Sequence, residues 1–84
     1  MDNIVTDDEV VEVLADNVQQ RLDALGWSGL RLAKESGEQQ SLISRMLSRK
    51  NLISVGSVTR IARALNTTVD WLLDPRNCRT TIDA

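Results

Sequence analysis

Eighty-four residues with 42% apolar content suffice for one small domain of modest stability, and two Trp as the only aromatics leave Leu, Val and Ile to build its core. A lone Cys78 and the absence of His exclude an internal disulfide, the usual zinc-ligand sets and a His-based catalytic triad. The net charge of −2 argues against a nucleic-acid partner only until its arrangement is considered: residues 1–16 hold six acids and no base, whereas residues 17–84 hold all ten Arg and Lys against six acids.

The chain opens without the basic and apolar regions of a secretory signal, and no apolar run is long enough to span a membrane, so it is read as cytoplasmic. Residues 1–6 are expected to form an N-terminal arm. Thr6-Asp7-Asp8-Glu9 has the form of a capping box, with acids suited to the positive end of a helix dipole. From there Val11, Leu14, Val18, Leu22 and Leu25 recur at steps of three and four, which predicts a first helix over 7–25 that Gly26 stops. Val10 and Val13 add apolar surface to its acidic start, either to pack on the tail or a second subunit, or simply within a solvated helix end. The latter is the simpler reading.

Trp27 is expected in the core, since two aromatics are too few for a single-strand stacking surface. Ser28 can cap a second helix carrying Leu32 and Ala33 inward, and Gly37 can end it in the left-handed conformation. A third helix, starting near Gln39, turns Leu42 or Ile43 and Met46 or Leu47 inward and shows Gln40, Ser41, Ser44 and Arg45 on its other side. Two short helices joined by a tight turn, the second with a polar outer face, are what a helix-turn-helix needs to enter a DNA major groove. The residue types suit base reading, since Gln can bond bidentately to adenine, Arg to guanine and Ser to several base edges.

Arg49-Lys50-Asn51 forms the loop leaving this helix, where two adjacent cations suit phosphate. Ser54 can cap a fourth helix with Val55, Val58, Ile61, Ala62 and Leu65 inward and Arg60 and Arg63 outward. Asn66 ends it. Thr67 or Thr68 caps a short fifth helix, Val69 to Leu73, in which Trp71 and Leu72 are candidates for the core or for a dimer seam. Asp74-Pro75 then terminates the fold, so that residues 7–73 form the domain and 74–84 a flexible tail. The expected class is all-α, a compact bundle of five short helices. Ser, Asp, Glu and Lys occur, but no spacing suggests a nucleophile with its base, so no enzyme, cofactor or small-molecule substrate is expected.

Ala33, Gly37, Ile43 and Met46 follow the spacing A-x3-G-x5-I-x2-hydrophobic, and Ile61-Ala62-Arg63-Ala64-Leu65-Asn66 precedes Val69-Asp70-Trp71-Leu72-Leu73. In both halves, from about Val18 to Leu73, the chain resembles the phage-repressor and Cro-like helix-turn-helix family, lambda-repressor-like and XRE-type. The resemblance implies base contacts from Gln40, Ser41 and Arg45 in helix 3. It places Gln39 and Ser44 near phosphate or sugar, and Ser28 near a phosphate through the backbone of helix 2. It also implies a homodimer on a palindromic double-stranded operator, working as a repressor that blocks polymerase.

Five positions depart from the family pattern. Trp27 stands for a usual Leu, and Gly29 for a Gln that touches the DNA backbone. Glu38 replaces a small inward apolar residue, so either the turn is repacked with Glu38 outward or Glu38 serves near the start of helix 3, the preferred reading. Leu22 and Leu47 occupy the positions of a buried Arg–Glu ion pair, and replacing both partners with hydrophobes avoids an unmatched buried charge. Direct Leu22–Leu47 contact is expected. The competing class is a protein-interaction module of antitoxin or antirepressor type, which the acidic first sixteen residues would suit.

Overall fold

The structure, a computed structural model, describes residues 7–78. Five helices follow one another: α1 (Asp7–Leu25), α2 (Gly29–Ser36), α3 (Gln40–Leu47), α4 (Val55–Ala64) and α5 (Val69–Leu73), with a 3-10 turn at Pro75–Asn77. No strand occurs among the described residues, so the all-α class and the five-helix bundle hold. The arm expected at 1–6, and Thr6 of the expected capping box, lie outside the described residues.

Local chemistry sets the boundaries. The hydroxyls of Ser28, Ser54 and Thr68 accept the backbone N–H groups of Arg31, Ser57 and Trp71, each satisfying an otherwise unpaired amide in the first turn of a helix. Four turns close in one way: Trp27, Glu38, Lys50 and Thr67 donate their N–H back to Leu22, Ala33, Arg45 and Ala62. The residue before each donor has positive φ. Gly26 and Gly37 adopt it freely, whereas Arg49 (φ 62°) and Asn66 (φ 58°) hold it against a Cβ.

Leu14, Val18, Leu22, Leu32, Ala33, Ile43, Met46, Val58, Ile61, Ala62, Leu65 and Leu72 form the core, with Trp27, Leu42, Leu47 and Trp71 packed partly buried against it. Helix α1 packs on α3 and α5, and α2 on α3 and α4. Helix α3 therefore turns both alternatives inward, Ile43 and Met46 fully and Leu42 and Leu47 in part. Leu22 lies within the cluster on which Leu47 packs.

Three apolar expectations need correction. Val55 is 78% exposed: the inward face of α4 begins one turn later, at Val58. Leu25 is 39% exposed, so the stripe of α1 ends at Leu22 and Trp27 continues the packing instead. Leu72 is 0% exposed and lies in the core of its own chain, which removes it from any dimer seam. Asp8, Glu9 and Glu12 are solvated, as the simpler reading of α1 had it, yet every residue from Val13 to Val18 is buried, Asp16 and Asn17 included.

Asn17 explains that enclosure. Its side-chain amide donates to the carbonyls of Trp71 (3.3 Å), Leu72 (2.9 Å) and Asp74 (3.1 Å), closing the C-terminal end of α5 onto α1. The segment expected as a flexible tail from Asp74 onward starts instead with a built turn. Asp74 accepts the guanidinium and the backbone N–H of Arg76, which holds its carboxyl below the usual carboxylate range. Gln20 of α1 donates to the Asn77 carbonyl, and Asn77 in turn donates to that of Trp71 (2.9 Å).

Candidate nucleic-acid interface

Eight residues of α3 divide between two environments. Ile43 and Met46 anchor the helix in the core, which fixes its rotation and leaves Gln40, Ser41, Ser44 and Arg45 exposed. Positions four apart are neighbours on a helix surface. The exposed side chains therefore form two adjoining rows, Gln40–Ser44–Ser48 and Ser41–Arg45. A shallow groove lined by Gly29, Leu30, Gln40, Ser44 and Ser48 runs on the α2 side, and one lined by Gln39, Ser41, Arg45, Asn51 and Leu52 on the other. The helix is thus a polar ridge, free on the face away from the core.

The flanks differ in how they are held. Ser28 accepts the Arg31 amide on its hydroxyl oxygen at 3.1 Å, which leaves its O–H and the backbone N–H groups of the first turn of α2 as donors for a phosphate there. Gln39 is the N-cap of α3 but its side chain makes no capping bond, unlike the caps of α2, α4 and α5. Gly29 opens α2 with room for a side chain: a Cβ there would meet Leu47 and Ile43 at ordinary contact distance, 3.5 and 3.6 Å.

Charge engagement separates the cations. Arg49 Nε lies 3.1 Å from Glu12 Oε1 of α1, and Arg31 pairs with Glu35 at 2.8 Å while stacking 4.7 Å over the Trp27 ring. Trp27 is therefore half-buried, packed on the core with its open face covered by Arg31. Among the described residues Lys34, Arg45, Lys50 and Arg63 make no ion pair and no side-chain hydrogen bond. Two of these four stand at α3, Arg45 on its ridge and Lys50 in the loop that leaves it. Gln40, Ser41, Arg45, Gln39, Ser44, Lys50 and Asn51 are brought together and exposed, whereas Arg49 is engaged by α1. Trp71, on α5, stands apart from this surface and is half-buried.

Glu38 is placed otherwise than expected. Its carboxylate neither faces outward nor serves α3; it turns to α4, where Arg60 Nη2 and Nε reach Oε2 at 2.6 and 2.7 Å. The Glu38 side chain is only 8% exposed. The departure from a small apolar residue at 38 marked this position, but Arg60 read as one more outward cation, and nothing in the local pattern joined two residues 22 apart. The Glu12–Arg49 pair, 37 residues apart, left no sequence signal either.

Paired short helices around a left-handed glycine turn, with the second helix presenting an unobstructed polar face, define a helix-turn-helix protein. A helix-turn-helix family model matches residues 18–72, and the chain belongs to that family, as a DNA-binding transcriptional regulator of the Cro/CI-like class. The fold is also similar to the crystal structure of a hypothetical transcription factor, NHTF, from Neisseria. There the TM-score is 0.75 and the identity 23%, over 87% of this chain and 84% of that one. No match was found among curated proteins. Among the described residues no helix is long and apolar enough to cross a membrane.

Proposed function

We propose that this protein is a sequence-specific repressor of phage type, which occupies a palindromic double-stranded operator as a homodimer with α3 in the major groove. Gln40, Ser41 and Arg45 read base edges, while Gln39, Ser44, Lys50, Asn51 and the backbone at Ser28 contact sugar and phosphate. Arg49 joins them when phosphate displaces Glu12. The observation that supports this reading is that Arg45 on the ridge of α3 and Lys50 in the loop that leaves it have no internal partner among the described residues, beside exposed Gln40 and Ser41. A charge that the fold does not consume is available to the groove and its phosphates. The seam of the dimer is assigned to α5, through half-buried Trp71 and neighbouring Leu73, which is 40% exposed.

Selection of bound sequences from a random duplex pool tests this. The expected result is one enriched site with two-fold symmetry and half-sites about 10–10.5 base pairs apart, centre to centre. An enriched site without symmetry would remove the dimer, and an empty selection would remove the operator. A second reading, a protein-interaction module on the same scaffold, draws on the solvated acids Asp8, Glu9 and Glu12 at the start of α1. Salt separates the two: duplex binding through several phosphates falls steeply between about 50 and 200 mM salt.

A further inference from the structure

The Glu38–Arg60 pair stands at the end of α3 that the proposed function directs toward DNA. Glu38 immediately precedes the N-cap Gln39, and its backbone N–H closes the turn onto the Ala33 carbonyl at 3.1 Å. A carboxylate in that place is drawn toward the positive end of the α3 dipole, the region an incoming phosphate also seeks. Two anions do not share it. Arg60 resolves the conflict by approaching from α4: its Nε and Nη2 converge on Oε2, and Nη2 also lies 3.4 Å from the buried Ser57 hydroxyl. Ser57 in turn receives the Ser54 hydroxyl at 3.2 Å, so the guanidinium is tied into the start of α4.

We infer that Arg60 is a positioning residue for DNA binding, which draws the Glu38 carboxylate back onto α4, so clearing and neutralising the entry end of α3, and does not itself ligate phosphate. The inference rests on the reading of α3 as the helix that meets DNA. It assigns an outward-facing arginine, 54% exposed, a role its exposure alone would not suggest. It also explains how an acid is tolerated at a position where the family places a small apolar residue.

The experiment is a double-substitution cycle, read by fluorescence anisotropy on the duplex recovered by selection. Arg60→Gln leaves Glu38 uncompensated and is expected to weaken binding about tenfold, the scale of one stranded buried charge partner. Glu38→Gln keeps the shape without the charge, and E38Q/R60Q should bind within about twofold of E38Q, with the same salt slope, because no phosphate contact has been removed. If the double variant is as weak relative to E38Q as R60Q is to the parent, with its slope reduced by about 0.9, Arg60 is a phosphate ligand and the inference is overturned. Parental binding by R60Q would overturn it as well. Helical circular dichroism is recorded for each protein, and Arg60→Met replaces R60Q should the latter lose its helix signal. A parent that selects no duplex refutes the proposed function, whereas a parent that binds without the rescue refutes the inference alone.

Discussion

Asn17→Leu probes how α5 is fastened, and its cost can be worked from the contacts. Asn17 is 0% exposed, and its two amide hydrogens serve three carbonyls at the end of α5, at 2.9, 3.1 and 3.3 Å. Trp71 O keeps a second donor in Asn77, but Leu72 O has no other side-chain donor among the described residues, and that bond is buried. Leucine has the same heavy-atom count and branching as asparagine, so no cavity forms; its bulkier methyl groups add some crowding, and the main loss is polar. Two net hydrogen bonds at about 1 kcal/mol each, with a penalty for the stranded Leu72 carbonyl, give about 2–4 kcal/mol. Urea unfolding followed by tryptophan emission would show this as a midpoint about 2–4 M lower, for a slope near 1 kcal/mol/M. Asn17→Asp should cost more, since a carboxylate would face three carbonyl oxygens. A loss below about 0.5 kcal/mol for Asn17→Leu would refute the reasoning, because the bonds would then be no better than those to water.

Further expectations concern the DNA face and the core. Arg45→Ala should cost about 1–3 kcal/mol of binding and relax preference at one base position in a repeated selection, with folding unchanged. Lys50→Ala should weaken binding evenly across sequences and reduce the salt slope by about 0.9; if both variants bind like the parent, the ridge has been misassigned. Glu12→Gln releases Arg49 from an exposed pair and should tighten binding to any duplex by about two- to fivefold. Weaker binding would mean instead that Glu12 holds Arg49 in place for its contact. Leu22→Arg puts an unmatched charge into a core position and should destabilise by about 3–5 kcal/mol in urea unfolding, with a loss under about 1 kcal/mol excluding close packing there.

The architecture was readable because its determinants are local. Ser28, Ser54 and Thr68 lie at fixed offsets from the amides they cap, and Gly37 marks a left-handed turn that few other residues enter. The four-residue spacing of Leu14, Val18 and Leu22 likewise fixes one face of α1. Periodicity fails at helix ends, where a side chain keeps its angle but loses the element beneath it. Val55 and Leu25 are such cases. Polar residues that act at long range carry no period. Asn17 on a leucine-bearing helix looks like part of a solvated face, and only the docking of α5, 55 residues on, makes it a cap. The exposed ridge of α3 was legible for the same reason as its core face, since each fixes the other. Its neighbours were not, because pairing of Glu38 with Arg60 and of Glu12 with Arg49 depends on how α3 sits against α4 and α1.

Those pairings bear on how a chain of net charge −2 can address DNA. Summed charge governs the field at a distance, whereas a groove contact is governed by charges that the fold has not already spent. Here Glu12, Glu35, Glu38 and Asp74 each hold an arginine of the scaffold. The cations left over include Arg45 and Lys50, both at α3. An acidic total then limits attraction to arbitrary duplex, which rests on phosphate contacts alone, without weakening the base contacts that discriminate. Moving Arg49 between Glu12 and a phosphate changes the first quantity and not the second. On the proposed function, the Glu12–Arg49 pair then lowers affinity for every duplex by a similar factor, so that discrimination between sites rests on the base contacts of Gln40, Ser41 and Arg45.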